Sequence, residues 1–155
     1  SVSYAAEYLI DEQLPDKMEE GLLCIKDNIV LVETMFSALP PNIEEILFLM
    51  RSHNYQPILA HPERYHYLED NLEQLDLFLK HGCKLQPNIL SFAGYYGHKE
   101  KELAKKILDA GLIDYLGTDL HHRRHLGAIK HMKVSKKVAR KLENLDLENL
   151  NLLSE

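Results

Sequence analysis

The sequence lacks the short motifs that mark the most familiar nucleotide-binding sites. It contains no GxGxxG fingerprint and no Walker loop, which disfavours an open doubly wound sheet with a Gly-rich phosphate loop. It has only two cysteines, Cys24 and Cys83, which are far apart and form neither a CxxC pair nor a disulfide framework. We therefore expect both to be buried thiols in a reducing cytoplasm.

Long apolar runs and a net positive charge are also missing. No run reaches the length that spans a membrane, so membrane insertion is not expected. The formal net charge is −6 at pH 7, which argues against a general nucleic-acid binder.

One stretch departs from this acidic balance. From His121 to Leu142 there are eight Lys or Arg residues, no acidic residue and no interleaved aromatic residue. We interpret the stretch as a solvated basic helix face. Attraction of an anionic, phosphorylated tail is a weaker alternative, and nucleic acid is disfavoured because the aromatic stacking platforms are absent.

The sequence does contain a regular alternation of apolar runs and amphipathic stretches. Predicted strands begin near residues 2, 29, 57, 83 and 114, a spacing typical of parallel βα units. Helices are predicted over residues 99–110 and from 123 to 153, and a further helix follows Pro40. The apolar stripe of that helix is formed by Ile43, Ile46, Leu47 and Met50.

The length of the chain limits how far these units can close. At 155 residues we expect a single domain over residues 1–155. A closed βα barrel needs roughly 200–250 residues, and five units fall short of that. The sequence therefore predicts an α/β fold in which parallel βα units form an incomplete barrel.

Polar side chains stand at the ends of two predicted strands. His61 follows an apolar strand and precedes Pro62, which biases it away from helix. Asp119 and His121, after the last predicted strand, are two residues apart and point to one side of an extended backbone. Because α/β folds build their sites at the carboxyl ends of strands, these residues predict a divalent metal site.

Each of these residues also has a plainer interpretation. His61 could be a strand-end histidine bonded to the backbone, and Asp119 a helix N-cap beside an exposed histidine. Glu33 also ends a strand; it could lie behind the metal ligands, and we favour a solvent-facing or salt-bridged residue instead. Gln86 and Asn88 could equally line a pocket floor or cap a turn.

Three stretches taken together resemble the PHP (polymerase and histidinol phosphatase) superfamily, and most closely its bacterial tyrosine-phosphatase branch of capsule and exopolysaccharide synthesis. They are YAAEY at residues 4–8, LAHPERY at 59–65 and GTDLH at 117–121. The resemblance implies a distorted (β/α) barrel with a divalent metal cluster, manganese first and iron, zinc or magnesium as alternatives. It also implies hydrolysis of phosphotyrosine on a partner tyrosine kinase.

The resemblance assigns roles to individual residues. It implies that Glu7 is a bridging carboxylate, His61 a terminal metal ligand, and Asp119 and His121 further ligands. Mixed imidazole and carboxylate ligands suit manganese, iron or zinc better than magnesium, which prefers oxygen.

Two arginines match the phosphate-binding positions of the family. The resemblance implies that Arg64 grips the phosphate and that Arg124, next to Arg123, is the second arginine. Guanidinium groups neutralise the equatorial phosphate oxygens with a bidentate geometry that lysine cannot match. The general acid stays open, with His122 and His125 as candidates.

The family pattern also opens with a His-x-His pair and a further histidine, for which the sequence before Ser3 has no match. We therefore expect this chain to be the C-terminal two-thirds of a PHP phosphatase barrel, weak or inactive by itself. We also expect a homo-oligomer, because an exposed strand edge needs cover. The alternatives are a small-molecule phosphatase of the histidinol-phosphate type and a non-catalytic fragment that only assembles.

Overall fold

The computed structural model describes residues 4–69 and 71–152. Contacts group the chain into two compact units, and we call residues 1–60 and 65–84 unit 1 and residues 61–64 and 85–155 unit 2. The single domain expected over residues 1–155 stays a prediction.

Unit 1 is built on three short parallel strands. They are β1 (Glu7–Leu9), β2 (Ile29–Glu33) and β3 (Gln56–Ala60), with β2 in the middle. Leu9 lies opposite Glu33, and Val32 lies opposite Leu59. Among the described residues of unit 1 these strands form an open sheet. The part of the first predicted strand that falls on Val2 and Ser3 lies outside the described residues.

Three α-helices accompany these strands among the described residues of unit 1. They are α1 (Leu14–Glu20), α2 (Ile43–Ser52) and α3 (Leu75–Lys80), with 3₁₀ turns at His66–Leu68 and Leu72–Gln74. All four apolar positions of the predicted stripe on α2 are buried. The prediction for this helix is therefore confirmed, and the stripe forms part of the core.

A buried tyrosine ties the end of β3 to the end of β2 within unit 1. The hydroxyl of Tyr65 donates to the carbonyl of Ala60 at 2.9 Å and accepts from the amide of Thr34 at 3.1 Å. Its ring stacks on that of Tyr67, with 5.4 Å between centroids. Burial raises the pKa of the Tyr65 hydroxyl well above its usual range. The hydroxyl therefore stays protonated, and its hydrogen bonds have a structural role.

Strand β4 (Lys84–Gln86) begins at the last residue of unit 1 and continues into unit 2. Unit 2 also contains the 3₁₀ turn Pro62–Arg64 and the helices α4 (Ile89–Ala93), α5 (His98–Asp109), α6 (Arg123–His131) and α7 (Lys136–Glu143), with a last 3₁₀ turn at Glu148–Leu152. Helix α5 agrees with the prediction to within a residue, and its buried side chains include Leu103 and Ile107.

Two sequence predictions for unit 2 are wrong, and the first is the long C-terminal helix. The chain leaves helical geometry at Met132, whose ψ is 143°. Ser135 then starts a new helix, because its hydroxyl accepts from the amide of Val138 at 3.3 Å. A capping serine of this kind marks a helix start, so the predicted helix is two helices and a 3₁₀ turn.

The second error is the strand predicted to begin near residue 114. In the described part of the chain this segment forms a single parallel bridge, between Asn88 and Gly117, although the amides of Tyr115 and Gly117 also donate to the carbonyls of Leu85 and Pro87. The amide of Leu85 donates to a carboxylate oxygen of Asp114 at 2.9 Å, so a side chain takes the place of a ladder carbonyl. Gly117 lies close to the Gln86 side chain, because an added Cβ would lie 2.8 Å from its Oε1 and would require that side chain to move.

Among the described residues, no helix combines the length and the apolar character needed to cross a membrane.

Candidate functional site

In unit 1 the sheet brings two carboxylates together. Glu7 opens β1 and Glu33 closes β2, and oxygens of the two side chains lie within 4.8 Å of one another. The register explains this, because Leu9 lies opposite Glu33 and Glu7 shares the face of Leu9. Glu33 is half-buried, and its interpretation as a solvent-facing or salt-bridged residue stays a prediction. Oxygen ligands at this spacing can share a divalent cation.

An apolar cavity opens in unit 1 after the carboxyl ends of β1 and β2. It has a volume of about 550 Å³ and is lined by residues 10–13, Met35 and residues 38–42. This volume falls within the range of small-molecule and cofactor sites. The cavity is large enough to hold an aromatic side chain.

In unit 2 the first site residue is His61, which directly follows β3 in the chain. It is buried, and its amide donates to the carbonyl of Gln86 at 2.8 Å. Its φ of 35° lies in the left-handed region, which a residue other than glycine seldom occupies. Its carbonyl accepts from the amide of Arg64 at 2.9 Å and so closes the 3₁₀ turn. A strained residue held by its surroundings is typical of functional sites.

Asp119 is the centre of the cluster in unit 2. One carboxylate oxygen accepts from Nη1 of Arg64 at 2.7 Å, and the other lies 2.9 Å from Nδ1 of His121. Its φ is 46°, again left-handed. Asp119 is not a helix N-cap, because α6 starts at Arg123 and His122 is the capping residue. The structure thus brings together three of the residues predicted from the sequence.

His125 lies against this cluster from helix α6. It is buried, and its Nδ1 is 2.9 Å from the main-chain carbonyl of Asp119 and 3.3 Å from the amide of His121. One ring nitrogen cannot donate to the carbonyl and accept from the amide at once. The shorter distance favours the tautomer that donates to Asp119. His122, the other candidate general acid, is exposed, and its ring is 3.9 Å from that of His125.

The second predicted arginine is placed differently from the first. Arg124 is exposed in the first turn of α6, and the described residues provide no ion pair for it. Arg64 is held on two sides. Its guanidinium carbon lies 4.6 Å from the centroid of the Tyr96 ring, and its Nη1 bonds Asp119. Arg64 therefore has a fixed orientation, whereas the exposed position of Arg124 leaves its role a prediction.

Sequence reasoning gave no role to Glu63, although it lies inside the HPER motif. Its side chain is buried, and Oε1 accepts from the amide of Asn88 at 3.0 Å and from the hydroxyl of Ser91 at 2.6 Å. Burial raises the pKa of the Glu63 carboxyl, and these two hydrogen bonds oppose the rise. Its position between Pro62 and Arg64 was the only signal available in the sequence.

The turn-capping interpretation of Asn88 is confirmed. Its Oδ1 accepts from the amide of Leu90 at 2.9 Å and caps α4. Burial raises the pKa of the nearby Tyr96 hydroxyl, with the negative charge of Asp119 acting in the same direction.

Parallel strands alternate with helices, and acidic, imidazole and guanidinium side chains follow several of the strands, so the chain is an α/β protein with a candidate metal and anion site. The chain matches the family described as "Capsular polysaccharide synthesis, CpsB/CapC" over residues 2–152, and it belongs to that family. The resemblance stated from the sequence is confirmed.

Two curated relatives carry phosphatase names. The chain is 28% identical over 108 residues to "Tyrosine-protein phosphatase YwqE" of Bacillus subtilis (strain 168), across 69% of this chain and 42% of the relative. It is 27% identical over 112 residues to "Putative tyrosine-protein phosphatase CapC" of Staphylococcus aureus, across 72% of this chain and 43% of the relative. The chain thus spans about two-fifths of the length of these relatives.

A solved structure has the same fold. It comes from work on YwqE from Bacillus subtilis and CpsB from Streptococcus pneumoniae, described as unique metal-dependent tyrosine phosphatases. The TM-score is 0.72 at 22% identity, over 94% of this chain and 63% of the solved chain. Together with the parallel strands, this likeness confirms the predicted α/β fold class.

Proposed function

We propose that the natural protein carrying this sequence is a metal-dependent protein-tyrosine phosphatase. The observation that carries the proposal is the ion pair between Arg64 and Asp119, at 2.7 Å, which joins the HPER and GTDLH motifs. An arginine fixed beside an acidic and imidazole cluster is the arrangement that phosphoryl transfer needs, since catalysis depends on positioning and on charge stabilisation. The names of the family relatives support the same activity.

The metal ligands of the proposal are those that the resemblance implies. They are Glu7, His61, Asp119 and His121, and we add Glu33 because of its approach to Glu7. The donor set of carboxylates and imidazoles fits manganese first, with iron, zinc or magnesium as alternatives. A bound divalent metal would supply an acidified water and an electrophile for a phosphate oxygen.

The protein's own residues then have separate tasks. Arg64 binds the phosphate, and because Asp119 and Tyr96 already orient its planar group, little reorganisation is needed on binding. His121 and His125 keep Asp119 in place through its carboxylate and its carbonyl. Arg124, at the exposed start of α6, is proposed to approach the phosphate from solvent.

The substrate in this proposal is a phosphotyrosine-bearing protein, specifically a bacterial tyrosine kinase that controls polysaccharide synthesis. A cytoplasmic location and a homo-oligomeric state belong to the same proposal. Both were expected from the sequence, and both need their own measurements.

The test compares substrates of the purified natural protein loaded with manganese. A phosphotyrosine peptide should be hydrolysed far faster than the matching phosphoserine peptide and faster than histidinol phosphate. Preference for histidinol phosphate would instead support the small-molecule alternative. Absence of turnover on all three substrates would support the non-catalytic alternative.

A further inference from the structure

Asn88 joins three segments of unit 2 that carry the candidate site. It is buried, and each of its polar groups has a partner within unit 2. Its amide donates to Glu63 at 3.0 Å, its Oδ1 accepts from Leu90 at 2.9 Å, and its Nδ2 donates to Tyr96 Oη at 3.0 Å and to the carbonyl of Thr118 at 3.2 Å. One side chain thus connects the HPER turn, the start of α4 and the GTDLH loop.

The orientation of the Asn88 amide follows from these partners. The amide of Leu90 can only donate, so it must face the side-chain oxygen of Asn88. The NH₂ group then faces Tyr96 and Thr118, and the carbonyl of Thr118 can only accept. A carboxylate at position 88 would keep the helix cap but place an acceptor against this carbonyl.

Both partners of the Asn88 NH₂ group belong to segments that contact Arg64. Tyr96 provides the ring on which the Arg64 guanidinium rests, at 4.6 Å. Thr118 immediately precedes Asp119, whose carboxylate receives the guanidinium at 2.7 Å. The amide of Asn88 is in turn held by Glu63, the residue next to Arg64 in the chain. Asn88 therefore bonds the hydroxyl of one group that orients this arginine and the main chain immediately before the other.

We propose that Asn88 is a positioning residue for Arg64, acting through Tyr96 and the Thr118–Asp119 loop. Its relevance to phosphate binding rests on the proposed function, but the orientation of Arg64 does not. Asn88 acts only through other residues, and its loss should misplace Arg64 rather than remove a reacting group.

The test uses Asn88→Asp in the natural protein, with Asn42→Asp as a matched control. Both changes exchange an amide for a carboxylate at a helix N-cap, but Asn42 makes no side-chain capping bond. In ¹⁵N-labelled protein, the Nε–Hε signal of Arg64 is identified by its loss in Arg64→Lys. Asn88→Asp should shift and broaden that signal, and the control should leave it unchanged. An unchanged Arg64 signal in Asn88→Asp overturns the proposal.

Kinetics provide a second readout if phosphatase activity is present. Asn88→Asp should lower kcat/KM for a phosphotyrosine peptide by about ten-fold or more, since small misplacements of a catalytic group are costly. In an Arg64→Ala background the same change should have almost no further effect, because coupled residues are not additive. Full additivity would mean that Asn88 acts independently of Arg64 and would contradict the proposal.

A thermal melt of each variant guards against simple unfolding. If Asn88→Asp does not fold, the Tyr96→Phe variant tests the positioning role instead. It removes only the hydroxyl that Asn88 bonds and keeps the ring. It should shift the Arg64 signal in the same direction by a smaller amount, and no shift overturns the proposal. If the wild-type protein proves inactive, the NMR result still decides the positioning role, so the two failures are distinguishable.

Discussion

Removal of the Arg64 guanidinium should greatly lower catalytic activity but only slightly lower the stability of the fold. In Arg64→Ala the phosphate loses its fixed cation and Asp119 loses a partner at 2.7 Å. Loss of one preorganised charge-stabilising group typically costs about 10²–10³-fold in rate. Because the Arg64 side chain is 23% exposed, solvent screening favours the lower end. We expect a fall of about 10²-fold in kcat/KM, which corresponds to about 2.7 kcal/mol.

The expected effect of Arg64→Ala on folding is much smaller. Ion pairs at the surface contribute about 0–1 kcal/mol, and the Asp119 side chain is only 17% exposed, so the upper end applies. A loss of about 1 kcal/mol lowers the Tm of a chain of this size by about 2–4 °C. Arg64→Lys keeps the charge but loses the planar fork, so it should restore little of the activity.

The assay is phosphate release from a phosphotyrosine peptide by manganese-loaded natural protein, with metal content measured on the same samples. Arg140→Ala, an exposed arginine of α7, is the matched control and should retain full activity. Full activity in Arg64→Ala, with metal content unchanged, would remove Arg64 from the site and refute the reasoning.

Three further predictions concern the metal, a thiol and assembly. Glu7→Gln and Glu33→Gln should each weaken manganese binding in a calorimetric titration, with the exposed Glu45→Gln as control; unchanged affinity in both would place the metal elsewhere. Burial raises the pKa of the Cys83 thiol to about 12, so Cys83 should resist alkylation at pH 8 until the protein unfolds; rapid labelling in the native state contradicts this. Sedimentation at micromolar concentration should show a dimer or larger oligomer, and a monomer would end that proposal.

Periodicity in the sequence was enough to predict the elements that bury an apolar face. The stripe on α2 and helix α5 follow from local spacing, because a 3.6-residue repeat is readable without knowledge of the partner. The segment after Asp114 was mispredicted as a strand. There the carboxylate of Asp114 accepts the hydrogen bond of the Leu85 amide, which a main-chain carbonyl would accept in a β-ladder. The apolar pattern of the sequence does not indicate this exchange.

The site residues likewise include some that the sequence could predict and some that it could not. His61 and Asp119 stood out because motifs are local. Their left-handed backbone could not be foreseen, because only a few per cent of residues other than glycine adopt it, even though His and Asp do so more often than most. Glu63 was given no role and Glu33 was not chosen as a metal ligand, because the neighbours of a carboxylate that are distant in sequence cannot be seen before the chain folds. Glu33 lies beside Glu7, and Glu63 beside Asn88, after the chain has folded.

The most direct measurement of the central claim is the manganese dependence of phosphotyrosine hydrolysis by the natural protein and its Asp119→Asn variant. Chelation should abolish turnover in the wild-type protein, and added manganese should restore it. Asp119→Asn should stay inactive at every manganese concentration that saturates the wild type, because Asp119 is both a proposed ligand and the partner of Arg64. Turnover that survives chelation, or that is undiminished in Asp119→Asn, would contradict a metal-dependent phosphatase site at these residues.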